Sequence, residues 1–372
     1  MSESKRRILG IASTPYHLMV LLFLKDAFFE GLVTDLLITD KTPSFQALFE
    51  SGKLKSLFEN VYFANGKMIK NPYKSGAAML YESLIKNPEF PRLFEDREKP
   101  ELSVYTDIFF ASPGVPDEIS KEIIKSAILK NRHVRFHRFE DGFASYTKPP
   151  VCSVTSKAGR LAYQLLRGFD IKKAESRLYL FEPYLAEAPV ADTGSTGFTL
   201  RKIPNDEGRI SRVTEQLKAL FDQHPEQGFR PYIFLGQGTD NVTNNPKTYA
   251  SLITEIAQIT GYENFCLKPH PRGTYDRFDD KITLYEDPAP FELCFAEGLL
   301  EDKTLISYYS TACVSGKLLF HSNCRILFLY PLAGDSFNEK CDYEDYFKKL
   351  KELYPGIGIA TSREELKALL SR

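Results

Sequence analysis

The sequence predicts an α/β protein of two Rossmann-like domains with a cleft between them. Short apolar runs of strand length alternate with stretches of helical periodicity. That alternation is built up twice, on either side of a segment of different composition. Polar residues suited to ligand binding gather where the apolar runs end. Strands separated by helical stretches of this length argue for βαβ units and parallel sheets. In such sheets ligands bind outside the carboxyl ends of the strands.

In order along the chain, Arg6 to Ala12 (RRILGIA) reads as a buried strand and Tyr16 to Glu30 as the helix after it. Val33–Thr39 is a second strand and Tyr105–Ala111 a third, followed by a helix over 116–131. His133–Phe139 (HVRFHRF) reads as a strand of alternating polarity. From about Ala186 to Arg230 the chain turns rich in Ala, Gly, Thr and Pro, which predicts a linker or surface loop, then a helix near 209–221. The second series follows: strand 230–236, helix 247–261, strand 264–269, strand 303–309, helix 312–322, strand 324–330. Ser362 is placed to cap a last helix, with Glu365 at the capping-box position. The predicted domains are therefore 1–190, a linker region 191–230, and 231–372, with the last helix packing back on the first domain.

Composition narrows the function classes. A formal charge of −1 over 372 residues argues against a general nucleic-acid binder. The six cysteines, Cys152, Cys266, Cys294, Cys313, Cys324 and Cys341, form no C-x-x-C pair and show no zinc spacing, which suits free thiols in a reducing cytosol. Lys5-Arg6-Arg7 and the apolar run behind it imitate a signal peptide. Ser13 to His17 interrupt that run, however, and Met19–Leu24 is too short for a secretory core or a membrane span. The chain is expected in the cytoplasm. The basic residues Lys157, Arg160, Arg167, Lys172 and Lys173 offer a face for peripheral contact with the inner membrane, although a solvated helix face has the same signature.

Five constellations fall at predicted strand ends: Ser13-Thr14-Pro15-Tyr16-His17, Glu140-Asp141-Gly142, Gly236-Gln237-Gly238-Thr239-Asp240, Lys268 to Arg272 (KPHPR), and Ser310-Thr311. His270 stands between Lys268 and Arg272, with Pro269 and Pro271 restricting the backbone. A histidine is the side chain most easily set to give a proton near neutral pH, and two cations beside it suit an anionic leaving group. Ser310 and Thr311 precede a helix, where hydroxyls cap and a helix N-terminus attracts anions. Glu140 and Asp141 supply a base or its orienting carboxylate on a turn that Gly142 closes. Asp240 follows a glycine-rich turn, but that turn has neither a P-loop Lys-Ser/Thr nor a G-x-G-x-x-G. Together these parts suit displacement at a carbon bearing a phosphate leaving group, with no residue pattern that demands a metal.

The stretches TPYHL (14–18), RFEDGFASY (138–146), KPHPRGTY (268–275) and SYYSTACVSGKLLF (307–320) resemble bacterial sialyltransferases in kind and order, over roughly Ile8 to Leu329. The likeness is closest to glycosyltransferase family 52, which includes lipooligosaccharide sialyltransferases. It implies a GT-B type fold with the acceptor on the N-terminal domain and the nucleotide sugar on the C-terminal one. It implies an inverting, metal-independent transfer from CMP-sialic acid to a galactose-terminated glycan, with no cofactor. His270 resembles the family's general acid. Asp240 resembles its base, in a loop one residue longer here, whereas related families carry the base in the acid-acid-Gly motif, Glu140 or Asp141 in this chain. Ser310 and Thr311 resemble the pair that holds the CMP phosphate. Glu292, four residues after Pro288, resembles the carboxylate that holds the ribose hydroxyls. Thr14, Tyr16, Gly236, Gln237, Lys268, Pro271 and Arg272 complete the expected substrate-binding set. Family members dimerise, so a homodimer is compatible with the resemblance. A glucosyltransferase, a polysialyltransferase, a sugar-nucleotide epimerase of related fold and a non-catalytic nucleotide-sugar-binding protein remain alternatives.

Overall fold

The computed structural model describes residues 6–66, 90–95, 97–111, 117–147, 175–186, 199–221, 229–237, 246–270, 278–285, 290–332 and 344–371. The chain divides into two compact units, Met1–Phe221 and Asp222–Arg372.

The first unit holds β1 (Arg7–Ala12), α1 (Pro15–Phe28), β2 (Val33–Thr39), α2 (Pro43–Glu50), β3 (Val61–Ala64), β4 (Asp107–Ala111), α3 (Glu118–Lys130), β5 (Arg135–Phe139), α4 (Ala144–Thr147), β6 (Glu175–Leu180), β7 (Thr199–Lys202) and α5 (Glu207–Leu220). The strands form one parallel sheet in the order β3-β2-β1-β4-β5-β6-β7. Helix α1 buries every residue from Tyr16 to Leu24. A helix apolar nearly all round belongs in an interior. Gly10 of β1 lets it approach closely, since a Cβ there would stand 3.0 Å from Leu21.

Two expectations change here. Residues 199–221, read as part of a linker, supply the edge strand β7 and helix α5 of the first unit, and Arg209 and Arg212 of α5 both clamp Asp26 of α1 at 2.8 Å. β5 does not alternate: Phe136 to Phe139 are all buried, because the strand lies between β4 and β6 with both faces covered. Its polar members find partners inside. His137 Nε2 meets Asp107 Oδ1 at 2.8 Å and its ring stacks on Phe109. Asp107 also takes Arg6 and Arg135, at 3.2 and 2.9 Å.

The second unit holds β8 (Tyr232–Leu235), α6 (Pro246–Thr260), β9 (Phe265–Lys268), β10 (Thr283–Leu284), α7 (Phe291–Ala296), β11 (Thr304–Ser307), α8 (Thr311–Phe320), β12 (Arg325–Phe328), α9 (Glu344–Leu353), β13 (Ile357–Ile359) and α10 (Arg363–Leu370). Its parallel sheet runs β10-β9-β8-β11-β12-β13. Ser362 caps α10 by accepting from Glu365 N–H at 3.1 Å, as expected, while Glu365 reaches back to Thr361 instead of completing the box on Ser362. The last helix docks on its own unit: Leu366 and Leu370 enter that unit's core, and the carbonyls of Leu369 and Leu370 accept from Arg325 and Tyr232. Among the described residues no helix is long and apolar enough to cross a membrane. Cys266, Cys294, Cys313 and Cys324 are buried free thiols.

Candidate active site

In the first unit the residues after β1 meet the residues after β5. Thr14 caps α1, its hydroxyl accepting from His17 N–H at 3.2 Å, and Pro15 takes the first helical position, where its missing N–H costs nothing. Successive helix residues point about 100° apart, so Tyr16 and His17 diverge and each reaches a different member of the acid pair. Tyr16 OH donates to Glu140 Oε1 at 2.5 Å, and His17 Nε2 bonds Asp141 Oδ1. Glu140 is fully buried, and its Oε2 also receives the Tyr146 hydroxyl and, at 3.0 Å, Phe181 N–H. Burial pushes its carboxyl up to about 7, against the three donors that favour the charged form. Asp141 has a third of its side chain exposed, and its backbone N–H donates to Ser145 Oγ at 2.7 Å. Gly142 follows with φ of 74°, the left-handed turn that glycine enters without strain. The acid pair is therefore unequal. Glu140 is a buried anchor that cannot touch a substrate, and Asp141 is the member that faces solvent.

In the second unit the expected residues lie at the carboxyl ends of three adjacent strands, β9, β8 and β11. Gly236 N–H donates to the Lys268 carbonyl at 2.9 Å. Gln237 is held twice, its N–H donating to Tyr249 Oη at 3.0 Å and its amide to Ser307 Oγ at 2.6 Å. Ser307 donates to the Leu235 carbonyl at 3.2 Å and accepts from Ser310 N–H at 3.1 Å. Ser310 caps α8 by accepting from Ala312 N–H at 3.3 Å, with Thr311 at the first helical position. His270 stands two residues beyond β9 and is partly exposed. β9 and β11 flank β8, so these groups span about 10 Å, two strand spacings.

Helix α7 adds the carboxylate. Lys268 Nζ lies 5.5 Å from the centre of the Phe291 ring, and Glu292 follows in the first turn. Burial pushes the Glu292 carboxyl up, while its backbone N–H and the charge of Lys268 pull against that. Asp240, Pro271 and Arg272 lie outside the described residues, as do the basic residues between Lys157 and Lys173.

Sequence reasoning placed His17 in the first strand-end constellation but gave it no role of its own, and it missed Tyr146, Ser307 and Tyr249 as members of these clusters. His17 carried a signal, because it stands next to Tyr16 at a helix start just as Asp141 stands next to Glu140 at a strand end. Ser307 carried little, since it reads as the last small residue of a strand.

No protein-family model matches the chain, and no curated protein matches it. Solved structures do. Arabidopsis thaliana UGT89C1 complexed with UDP-L-rhamnose has a TM-score of 0.51 at 14% identity, covering 99% of this chain and 89% of that one. The glycotransferase of kitacinnamycin has a TM-score of 0.49 at 11% identity over 98% and 90%. CalG4, the calicheamicin glycosyltransferase, has 0.48 at 12% over 99% and 90%. At such identities the likeness speaks for the fold alone: two Rossmann-like α/β units, each with its own parallel sheet, make this chain a protein of the GT-B type.

Proposed function

We propose that the protein is an inverting, metal-independent glycosyltransferase that moves sialic acid from CMP-sialic acid to a galactose-terminated glycan. One observation carries the reading: a histidine, a lysine, a serine–threonine helix start and a carboxylate share the carboxyl edge of the second sheet, tied by the Gly236–Lys268 and Gln237–Ser307–Ser310 bonds. That set suits a nucleoside monophosphate leaving group. The Ser310 and Thr311 hydroxyls and the N-terminus of α8 favour its charge. Lys268 adds a cation, and Glu292 offers hydrogen-bond acceptance to ribose hydroxyls.

The first unit's edge is assigned the acceptor. Asp141 takes the proton of the acceptor hydroxyl, the oxygen attacks the anomeric carbon, and the bond from that carbon to the phosphate oxygen breaks. His270 gives a proton to the departing phosphate. Attack opposite the leaving group inverts the anomeric configuration. Asp240 is the rival base, and the pair Asp141→Asn and Asp240→Asn separates the two: the true base loses far more rate than CMP affinity.

The test is nucleotide release in EDTA from CMP-sialic acid and from UDP-glucose, each with and without lactose. The expected result is CMP release that lactose accelerates and His270→Ala abolishes. UDP release in its place refutes the sialyl donor and leaves a glucosyltransferase. CMP that raises the thermal midpoint while no donor turns over refutes catalysis and leaves a binding protein.

A further inference from the structure

We infer that His17 is a positioning residue for the catalytic base: it fixes the Asp141 carboxylate and leaves one of its oxygens for the acceptor hydroxyl. The inference rests on the sialyl-transfer reading and on Asp141 as its base. The bonds of the imidazole decide its role. Nδ1 accepts from Ser13 N–H at 3.2 Å, so the ring proton sits on Nε2, which donates to Asp141 Oδ1. Both ring nitrogens are then engaged, and neither is left to take a proton from a substrate. His17 is therefore not the base of a histidine–aspartate pair, the other arrangement two such neighbours could form.

The ring is itself held from several sides. It is nearly buried and stands edge-on to Phe139 at 5.9 Å, and the backbone N–H of His17 donates to Thr14 Oγ1. The Ser13 carbonyl accepts from Thr42 Oγ1 at 2.9 Å, which fixes the residue whose N–H sets the tautomer. Asp141 Oδ2 has no protein partner among the described residues, and the side chain is about a third exposed. During transfer the acceptor proton moves to Oδ2, the acceptor oxygen bonds the anomeric carbon, and CMP leaves with its proton from His270. His17 exchanges no proton. It keeps the carboxylate plane aimed, and a misplacement of about 1 Å in such a group costs about 100-fold in rate.

The experiment has a kinetic arm and a spectroscopic arm. His17→Leu is expected to lower kcat for lactose sialylation about 30- to 100-fold while the KM for CMP-sialic acid stays within about 2-fold. His17→Gln, whose amide nitrogen reaches the place of Nε2, is expected to stay within about 5-fold of wild type. His17→Asn, which is too short, should behave like His17→Leu. The Gln and Asn pair keeps the test alive if His17→Leu fails to fold. In the second arm, 15N spectra of histidine-labelled protein should show one ring protonated on Nε2 and bare on Nδ1, with that signal moving in Asp141→Asn. Near-wild-type turnover of a folded His17→Leu, or Asn outperforming Gln, overturns the inference and leaves the sialyltransferase reading standing. So does a ring protonated on Nδ1. Wild-type silence with CMP-sialic acid overturns that reading, and the catalytic role of His17 falls with it.

Discussion

Gly316 of α8 is buried against Phe295 of α7, and a Cβ there would stand 2.2 Å from Phe295 Cε1 and 2.5 Å from Cδ1. Ordinary contact begins near 3.4 Å, so Gly316→Ala requires the ring or its helix to move by more than 1 Å. The ring has little room. Phe295 is buried, parallel to Phe320 at 6.3 Å and edge-on to Phe291 at 5.5 Å. Overpacking of this kind costs about 1–3 kcal/mol, and alanine's better helix propensity returns about 1 kcal/mol. The net loss, up to about 2 kcal/mol, lowers the thermal midpoint by up to about 8 °C for a unit the size of Asp222–Arg372. The functional effect is larger than the stability effect, because α7 carries Glu292 and α8 begins at the Ser310–Thr311 cap. On the proposed sialyl-transfer reading, pushing the helices apart separates the carboxylate assigned to ribose, Glu292, from the hydroxyls assigned to phosphate, Ser310 and Thr311. Losing one or two charge-assisted hydrogen bonds weakens CMP binding by about 10- to 100-fold. Calorimetric titration with CMP measures this, and a double-mutant cycle with Phe295→Leu isolates the clash, since Gly316→Ala should cost less on the smaller side chain. An unchanged or raised midpoint together with wild-type CMP affinity would refute the reasoning.

Other substitutions probe the two strand-end clusters and the charge network at the opposite end of the first sheet. Glu140 has a folded pKa of about 7 against an ordinary 4.5, so between those values the unfolded chain loses a proton that the folded one keeps. Its stabilising contribution is complete below pH 4.5, falls as pH rises and is gone above about 7, amounting to about 3 kcal/mol. Glu140→Gln should flatten the dependence of the urea midpoint on pH in that window, and a wild-type slope in the variant contradicts the assignment. Ser307→Ala leaves the buried Gln237 amide and Ser310 N–H without their acceptor, at about 1–3 kcal/mol. Steady-state kinetics should show the donor KM rising at least several-fold, and an unchanged KM would detach Ser307 from the nucleotide site. Asp107 is held below the usual carboxylate range by His137, Thr106 and Arg135 despite its burial. Its contribution is present above the ordinary 3.8 and is lost as pH falls below that value. Asp107→Asn should therefore cost about 2–3 kcal/mol at neutral pH, less than a wholly buried pair because Arg6 and Arg135 are half exposed. Urea titration at pH 7 and pH 3 reads the difference, which should shrink at the lower pH.

The fold was readable where apolar runs were long. β1, β2, β4 and the strands of the second sheet's centre announced themselves by continuous Ile, Leu and Phe, as strands covered on both faces do. The elements that went unread lack that signal. β7 (TLRK) is a polar edge strand of four residues, and α7 has six residues, too few for a 3.6-residue period to show. The polarity of β5 was misread because the partner that makes His137 tolerable inside, Asp107, arrives from another strand.

The same limit explains the site. That ligand groups gather at carboxyl strand ends could be argued from spacing alone, but spacing could not say which of two consecutive acids meets the substrate. Consecutive side chains at the end of a strand point to opposite faces, so Glu140 and Asp141 meet different surroundings, and Glu140 is the one that is buried. The inward place needs donors, and Tyr16 and Tyr146 provide them at Glu140, from a helix start more than 120 residues earlier and a turn six residues later. His17 follows Tyr16 as Asp141 follows Glu140, so the contact that buries one acid also brings the histidine to the other. The buried anchor and the exposed carboxylate are thus set by one packing event between α1 and the end of β5. This is why Glu140→Gln should disturb stability against pH while Asp141→Asn should stop turnover, although the two substitutions stand side by side in the sequence and differ by a single methylene.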